Sequence, residues 1–307
     1  MRRGRGSSAR NRPFFKALTL PTFFIIGAAK AGTTSLHFYL DQHPEIQMSA
    51  EKEPNFFSGP ANGMPYPVGR VDTLDRYEQL FDSAFEVRGE ASPSYTNAPR
   101  RAGVPARIAA AVPDAKFIYL VRDPIARTVS HYRHRVAAGK ERRSLPEVLA
   151  GLDESDPHSF YLTCQSFYAH QLQLYLERFP AERILVIDQA DLLADREATL
   201  RKIFAFLAVD PEFSSESFAV ELFQGGERRV YPRFFTRFVK PVAAAPFRRL
   251  PAGFRDSVRG SVERALLATV PRPALTGPER ARLERVYGSD VERLRALTGK
   301  SFPSWSV

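Results

Sequence analysis

Cysteine is nearly absent from this chain. Cys164 is the only one in 307 residues, so no disulfide can form within it. It lies in the apolar and aromatic stretch YLTCQSFY with no Cys/His cluster around it, and reads as a small buried side chain rather than a metal ligand or nucleophile. Long apolar runs are missing too. The richest stretch, residues 14–29 (FFKALTLPTFFIIGAA), is interrupted by Lys16 and Pro21 and falls short of the roughly 20 residues a membrane span needs. Its basic flank imitates a signal peptide, but it runs into Gly-Ala-Ala-Lys-Ala-Gly, which suits a phosphate loop better than a cleavage site. The expectation is a soluble, cytoplasmic protein. There is no internal repeat and no clear linker, so residues 1–18 read as a basic flexible tail and 19–307 as one domain.

Charge is present but unevenly spread. The formal net charge is +10, of which residues 1–16 carry +6 and residues 228–260 carry +8, leaving −4 for the rest. The body is therefore no general polyanion binder, and two segments supply an attraction for phosphates, acidic glycans, nucleic acid or a membrane surface.

Short apolar β-prone runs alternate with helical patterns. Strands are expected at 22–27 (TFFIIG), near 46–48, at 86–91 (EVRGEA), at 117–121 within AKFIYLVRDP, and at 183–188 (RILVID). Helices are expected at 33–40, 73–82, 100–112, 125–138, 195–208 and 279–298, with one long aromatic-rich helix at 159–179. Residues 58–71, rich in Pro and Gly, read as an irregular loop. Apolar strands alternating with helices predict an α/β fold, a P-loop-type parallel sheet flanked by helices on both faces.

The stretch GAAKAGTTS begins at Gly27, directly after the first strand. Such a loop aims backbone N–H groups and a helix N-terminus at an anion. Gly27 and Gly32 have the separation of the triphosphate motif G-x-x-x-x-G-K-[ST], but Thr33 stands where its lysine belongs and the lysine is Lys30, inside the loop. No strand ends in a carboxylate suited to Mg²⁺ beyond Asp123 and Asp188. A phosphosulfate fits better. It needs no metal, only N–H donors, hydroxyls such as Thr33, Thr34 and Ser35, and a cation, Lys30, able to follow charge onto the bridging oxygen.

GAAKAGTTSL resembles the 5′-phosphosulfate loop of sulfotransferases that use 3′-phosphoadenosine 5′-phosphosulfate (PAPS). YLVRDPIARTVSHYRH, residues 119–134, resembles their 3′-phosphate motif. EKEPNFFS (51–58) and GEASPSYTNAPRRAGVPARI (89–108) are similar to segments of the heparan sulfate N- and O-sulfotransferases and their bacterial relatives. The resemblance implies that Lys30, Ala31, Gly32, Thr33, Thr34 and Ser35 hold the 5′ side of the nucleotide, and that Arg122 and Ser130 hold the 3′-phosphate. Independently, an arginine at a strand end can fork onto phosphate oxygens, although a capping ion pair with Asp123 is the alternative. The late basic loop of the family is represented by GGERRVYPR, which implies Arg228 and Arg229 near the nucleotide, with Gly226 beside them.

The resemblance further implies Glu53 as general base, with Lys30 stabilising the leaving oxygen and Lys52 steadying the sulfuryl group or the acceptor. An exposed glutamate has a pKa of about 4.3, so this role calls for partial desolvation or poise by Lys52 and substrate. His37, His43, His131 and His134 compete for that role, because other sulfotransferase branches use a histidine; each reads as structural or surface. The family lysine of the E-K-[ST]-P-x-Y segment is replaced by Ala91, and the family's C-terminal disulfide is absent, which suits a reducing compartment such as a bacterial cytoplasm. Tyr66, Tyr95, Arg133 and Arg135 are candidates for acceptor contacts, the acceptor being a glycan, a glycolipid or a small metabolite, with no nucleic acid and no metal. Three alternatives stay open: a P-loop nucleotide kinase, a basic module binding glycan or nucleic acid, and a peripheral membrane contact through residues 233–250, where aromatics interleave with arginine.

Overall fold

The computed structural model describes residues 18–59, 71–152, 157–220, 228–230, 268–270 and 273–307. Five strands form one parallel sheet: β1 (Phe23–Gly27), β2 (Ile46–Met48), β3 (Val87–Ala91), β4 (Lys116–Val121) and β5 (Ile184–Asp188), in the order β2-β3-β1-β4-β5. Every residue of β1 is buried, as is every residue of β4 but Lys116, so the central strands are covered on both faces. That is why they read as continuous apolar runs without alternation. Phe24 of β1 stacks on Phe117 of β4 at 5.8 Å and meets Phe57 edge-on at 5.8 Å.

Between the strands lie α1 (Thr33–Leu40), α2 (Leu74–Glu78), α3 (Val104–Ala111), α4 (Pro124–Ala137), α5 (Leu145–Ala150), α6 (Pro157–Thr163) and α7 (Tyr168–Leu176). After β5 come α8 (Gln189–Ala194), α9 (Arg196–Leu207) and α10 (Gly277–Thr298). A short antiparallel pair, β6 (Arg228–Val230) and β7 (Ala268–Val270), stands apart from the sheet. Chain order places β2 and β3 on one side of β1, and β4 and β5 on the other. The loops after β1 and β4 therefore diverge at a topological switch point, where open α/β sheets bind ligands at the carboxyl ends of their strands.

The expected long helix over 159–179 is two helices. α6 ends at Thr163, a 3-10 turn occupies Cys164–Ser166, and α7 starts at Tyr168. The restart has a tertiary cause. Asp290 of α10, 1% exposed, accepts hydrogen bonds from Ala169 N at 2.9 Å and His170 N at 3.0 Å, capping α7 from outside its own sequence. The helix expected at 100–112 starts only at Val104, after Gly103 in the left-handed region. The one expected at 73–82 is a short piece capped by Thr73, whose side chain accepts from Arg76 N.

Residues after α10 return to the sheet. Trp305 Nε1 donates to Asp188 Oδ2 at 3.0 Å, and Ser306 N and Oγ donate to Asp123 Oδ2 at 2.6 and 2.7 Å. Cys164 is buried, and its thiol donates to Asn97 Oδ1 at 3.1 Å. Among the described residues no helix is long and apolar enough to cross a membrane.

Candidate active site

The loop between β1 and α1 is held by backbone bonds. Ala28 N donates to Leu120 O and Ala31 N to Ala28 O, tying the loop to β4 and to itself. A Cβ on Gly27 would lie 2.1 Å from Thr96 Oγ1, so only glycine permits the strand to end against β3's following turn. Gly32 has φ 102°, a conformation that favours glycine, and caps α1 with no side-chain hydrogen bond. The first turn of α1 contains no acidic residue. Its leading N–H groups have no intrahelical partner and carry the positive end of the helix dipole. Thr33 is buried, while Thr34 and Ser35 are half-buried. Gln189, the first residue of α8, borders the loop: a Cβ on Gly32 would be 3.3 Å from its Nε2.

Arg122, directly after β4, reaches across to this loop, its Nη1 donating to Lys30 O at 3.2 Å. The two segments expected to hold opposite ends of a nucleotide are thus joined at the switch point. Asp123 caps α4 by accepting from Ala126 N at 2.7 Å and binds Ser306. Asp188 caps α8 through Ala190 N at 3.1 Å and binds Trp305, and burial raises its pKa. The two strand-end carboxylates that a magnesium-triphosphate enzyme would draw on are engaged in capping and in anchoring the chain's end. The described residues contain no cluster of His, Cys, Asp and Glu suited to a metal ion.

At the same carboxyl edge of the sheet, after β2, lies the segment 51–58. Lys52 Nζ lies 2.6 Å from Glu53 Oε1, with the two side chains 27% and 49% exposed, so this is a solvent-accessible ion pair adding little to stability. Glu53 (φ 58°) and Asn55 (φ 54°) both take the left-handed conformation, which costs about 1–2 kcal/mol per non-glycine residue unless surroundings enforce it.

The enforcement comes from a carboxylate that sequence reasoning did not single out. Glu90 of β3 is fully buried and accepts three hydroxyl hydrogen bonds, from Tyr77, Tyr95 and Ser92, each at 2.6 Å. Those hydroxyls then hold the segment. Asn55 N donates to Ser92 Oγ at 3.0 Å and Phe57 N to Tyr95 Oη at 3.1 Å. Phe56 stacks on the Tyr77 ring at 4.3 Å and 12°. Burial raises the Glu90 pKa, while its three hydroxyl donors work the other way. The available signal was Glu90 itself, an acid inside a strand of a sheet expected to be covered on both faces.

Tyr95 is consequently corrected from a candidate acceptor contact to a core residue. It is 2% exposed, and its hydroxyl is engaged by Glu90 and Phe57 N. Arg133 and Arg135 are half-buried on α4, as is Ser130. Tyr66 lies outside the described residues. Arg228 and Arg229 form part of β6, which lies against α4, the helix that carries Ser130; only their backbone is described.

The histidines separate cleanly. His43 is buried, with Nε2 at 3.0 Å from Asp210 O and Nδ1 accepting from Glu45 N at 3.2 Å. His131 is 4% exposed beside Arg127, and His134 is exposed. His37 stands within electrostatic reach of Lys52. Burial, and secondarily that ammonium, lowers its pKa against the raising effect of Asp41.

Fold and site together define a phosphate-loop α/β protein whose loop, strand-end arginine and Lys-Glu pair converge at the carboxyl edge of one parallel sheet. The family model described as "Sulfotransferase family" matches residues 21–213, and the chain belongs to that family. Among similar curated proteins are mouse heparan sulfate glucosamine 3-O-sulfotransferase 3A1 (30% identical over 197 residues, 62% of this chain and 46% of that protein) and bovine bifunctional heparan sulfate N-deacetylase/N-sulfotransferase 2 (29% over 204 residues, 62% and 22%). The chain thus spans less than half the length of these relatives. The solved structure of a sulfotransferase from Alicyclobacillus acidocaldarius is 27% identical with a TM-score of 0.67, over 94% of this chain and 99% of that one.

Proposed function

We propose that this protein transfers the sulfuryl group of PAPS to a hydroxyl or amine of a carbohydrate-containing acceptor. The observation that carries this reading is the Arg122–Lys30 contact at 3.2 Å, which makes one anion-binding surface from the two motifs. The donor set suits a nucleotide bearing both a 5′-phosphosulfate and a 3′-phosphate. Loop N–H groups, Lys30, Thr33, Thr34 and Ser35 meet the former, and Arg122 and Ser130 the latter. Similarity to heparan sulfate sulfotransferases supports a glycan acceptor.

In the reaction Glu53 takes the proton of the acceptor hydroxyl or amine, and the freed electron pair attacks sulfur. The sulfur–oxygen bond to the 5′-phosphate breaks in line, and adenosine 3′,5′-bisphosphate departs. Lys30 offsets the charge growing on the bridging oxygen, where a preorganised cation is worth most. Lys52, 2.6 Å from Glu53, steadies the sulfuryl oxygens. No step calls for a metal.

The test is calorimetric titration, without metal, of adenosine 3′,5′-bisphosphate and of adenosine 5′-monophosphate into wild type, Lys30→Ala and Arg122→Ala. Binding of the bisphosphate in strong preference, weakened about tenfold or more in Arg122→Ala, is the expected result for a lost charge-assisted contact. Equal binding of both nucleotides, or binding of neither, overturns the reading.

A further inference from the structure

Beyond the nucleotide loop, the same end of the sheet carries a second concentration of positive charge. Tyr161 of α6 is half-buried, and two guanidiniums lie over its ring. Arg100 Cζ is 4.4 Å from the ring centroid and Arg135 Cζ 4.8 Å. Both distances fall inside the range of cation–π attraction. They also bring the two charges within about 10 Å of each other, the screening length at 0.1 M salt. Beneath them lies a third guanidinium, that of Arg127, with no exposure at all. It is held by neutral groups only: Ser166 Oγ, the Leu162 carbonyl, Thr128 Oγ1 at 3.3 Å and His131 Nδ1 at 3.2 Å. The His131 ring in turn meets Tyr161 at 5.1 Å.

Among the described residues no carboxylate answers this charge, and none pairs with Arg100, Arg127 or Arg135. Arg135 donates through Nη2 to Lys140 O at 3.0 Å, and its buried Nε has no hydrogen-bond partner. Arg88, Arg107 and Arg196 likewise brace backbone carbonyls, but other arginines do pair with acids. Arg143, Arg183, Arg293 and Arg295 each meet an Asp or Glu at 3.1 Å or less. A guanidinium stacked on an aromatic ring keeps its in-plane N–H edge available, and that edge is what forks onto carboxylate, sulfate or phosphate oxygens. Like charges held together without a counter-charge repel, so the cluster is best stabilised when an anion arrives.

The cluster borders the site. Thr96, four residues before Arg100, is bonded to Ile26 O just below the phosphate loop, and the Lys30 charge contributes to the lowered proton affinity of His131.

We infer that Arg100, Tyr161 and Arg135 form an acceptor subsite for an anionic substituent, a carboxylate or sulfate ester, separate from the residues that take the nucleotide. This rests on the sulfotransferase reading above and adds to it a charge requirement on the acceptor. Tyr161 acts as the platform that fixes both guanidiniums, and the anion is gripped by their outward N–H groups.

The test uses protein saturated with adenosine 3′,5′-bisphosphate. A heparan sulfate oligosaccharide and its desulfated, carboxyl-reduced counterpart are titrated into wild type, Arg100→Gln/Arg135→Gln and Tyr161→Phe. Wild type is expected to bind the charged oligosaccharide about tenfold or more tightly than the neutral one, the scale of a charge-assisted contact. The double variant is expected to abolish that preference while binding the bisphosphate as wild type does. Tyr161→Phe, which keeps the ring, is expected to retain the preference. Failure of wild type to bind the bisphosphate would sink the function itself. Normal bisphosphate binding with no oligosaccharide binding, with equal binding of the two oligosaccharides, or with a preference that survives in the double variant overturns the subsite alone. Should the double variant unfold, Tyr161→Leu, which removes the platform and keeps both charges, decides: it is expected to lose the preference, and retention overturns the subsite.

Discussion

The two walls of the candidate site are built by opposite means. On the nucleotide wall, the loop from Ala28 to Gly32 is anchored by a backbone bond from Ala28 to β4 and by one of its own, and α1 begins with neither a side-chain cap nor an acid. On the other wall, the segment carrying Lys52 and Glu53 is tied down by a hub in which Glu90, Tyr77, Tyr95, Ser92 and the backbone of Asn55 and Phe57 satisfy one another. A wall that receives an anion works through donors that its own fold has not consumed. A wall that presents the proposed base works by pairing the polar groups behind it with one another, so that a left-handed glutamate stays in place.

The sharpest way to break this contrast is to remove one acting group from each wall. Lys30→Ala is expected to lower the rate of bisphosphate release from PAPS by about 10²–10³-fold, the scale of a lost electrostatic stabiliser. Glu53→Gln is expected to lower it by about 10²–10⁴-fold, the scale of a lost general base. The walls differ in binding: Glu53→Gln should leave affinity for adenosine 3′,5′-bisphosphate untouched in calorimetry. A matching loss of affinity would place Glu53 on the nucleotide side and dissolve the distinction.

A smaller effect comes from the hub. Glu90→Gln places an amide N–H₂ where a hydroxyl donates, leaving a buried donor unsatisfied at a cost of about 1–3 kcal/mol in stability. Denaturant unfolding should register that loss. Turnover should fall with it at temperatures where the variant is fully folded, while bisphosphate affinity holds. Turnover equal to wild type in folded Glu90→Gln would mean that the hub supports the core and not the base.

The next test is by pH. Burial, and then the Arg127 guanidinium, hold His131 well below the usual histidine range, so the folded protein keeps it neutral. An unfolded histidine takes up its proton near pH 6.5, about the model-peptide value, so stability is full above that pH and declines as pH falls below it. His131→Gln, which still offers Arg127 an acceptor, should flatten the fall in melting temperature between about pH 7.5 and about pH 5.5. An unchanged slope would assign the acid sensitivity to other groups.

The smallest effect concerns Cys164, whose thiol burial pushes up to about 11. It should not react with a chromogenic disulfide reagent at neutral pH until the protein is unfolded. Rapid reaction in the native state would show that the Asn97–Cys164 contact opens.

Much of the nucleotide wall was legible in the chain itself because its parts are local. A buried strand, a loop of small residues and a helix start follow one another within residues 23–40, and Arg122 follows β4 without interruption. The α/β class was legible for the same reason, since strands covered on both faces are plain apolar runs. The break between α6 and α7 was not, because the group that caps α7 is Asp290, more than a hundred residues away. Nor was the burial of Tyr95, whose ordinary place in a motif hides that its hydroxyl faces Glu90.

Local pattern and residue chemistry therefore settled the order of the five sheet strands, the small-residue loop after the first and the displaced lysine, because backbone conformation and periodicity act over a few residues. Folding in three dimensions settled which acids are engaged and where cations gather. Asp123 and Asp188 are taken by Ser306 and Trp305, Glu90 by three hydroxyls, and Arg100 and Arg135 by one tyrosine ring. Those pairings join segments far apart in the chain. Burial and electrostatics depend on spatial neighbours, which the order of residues does not list.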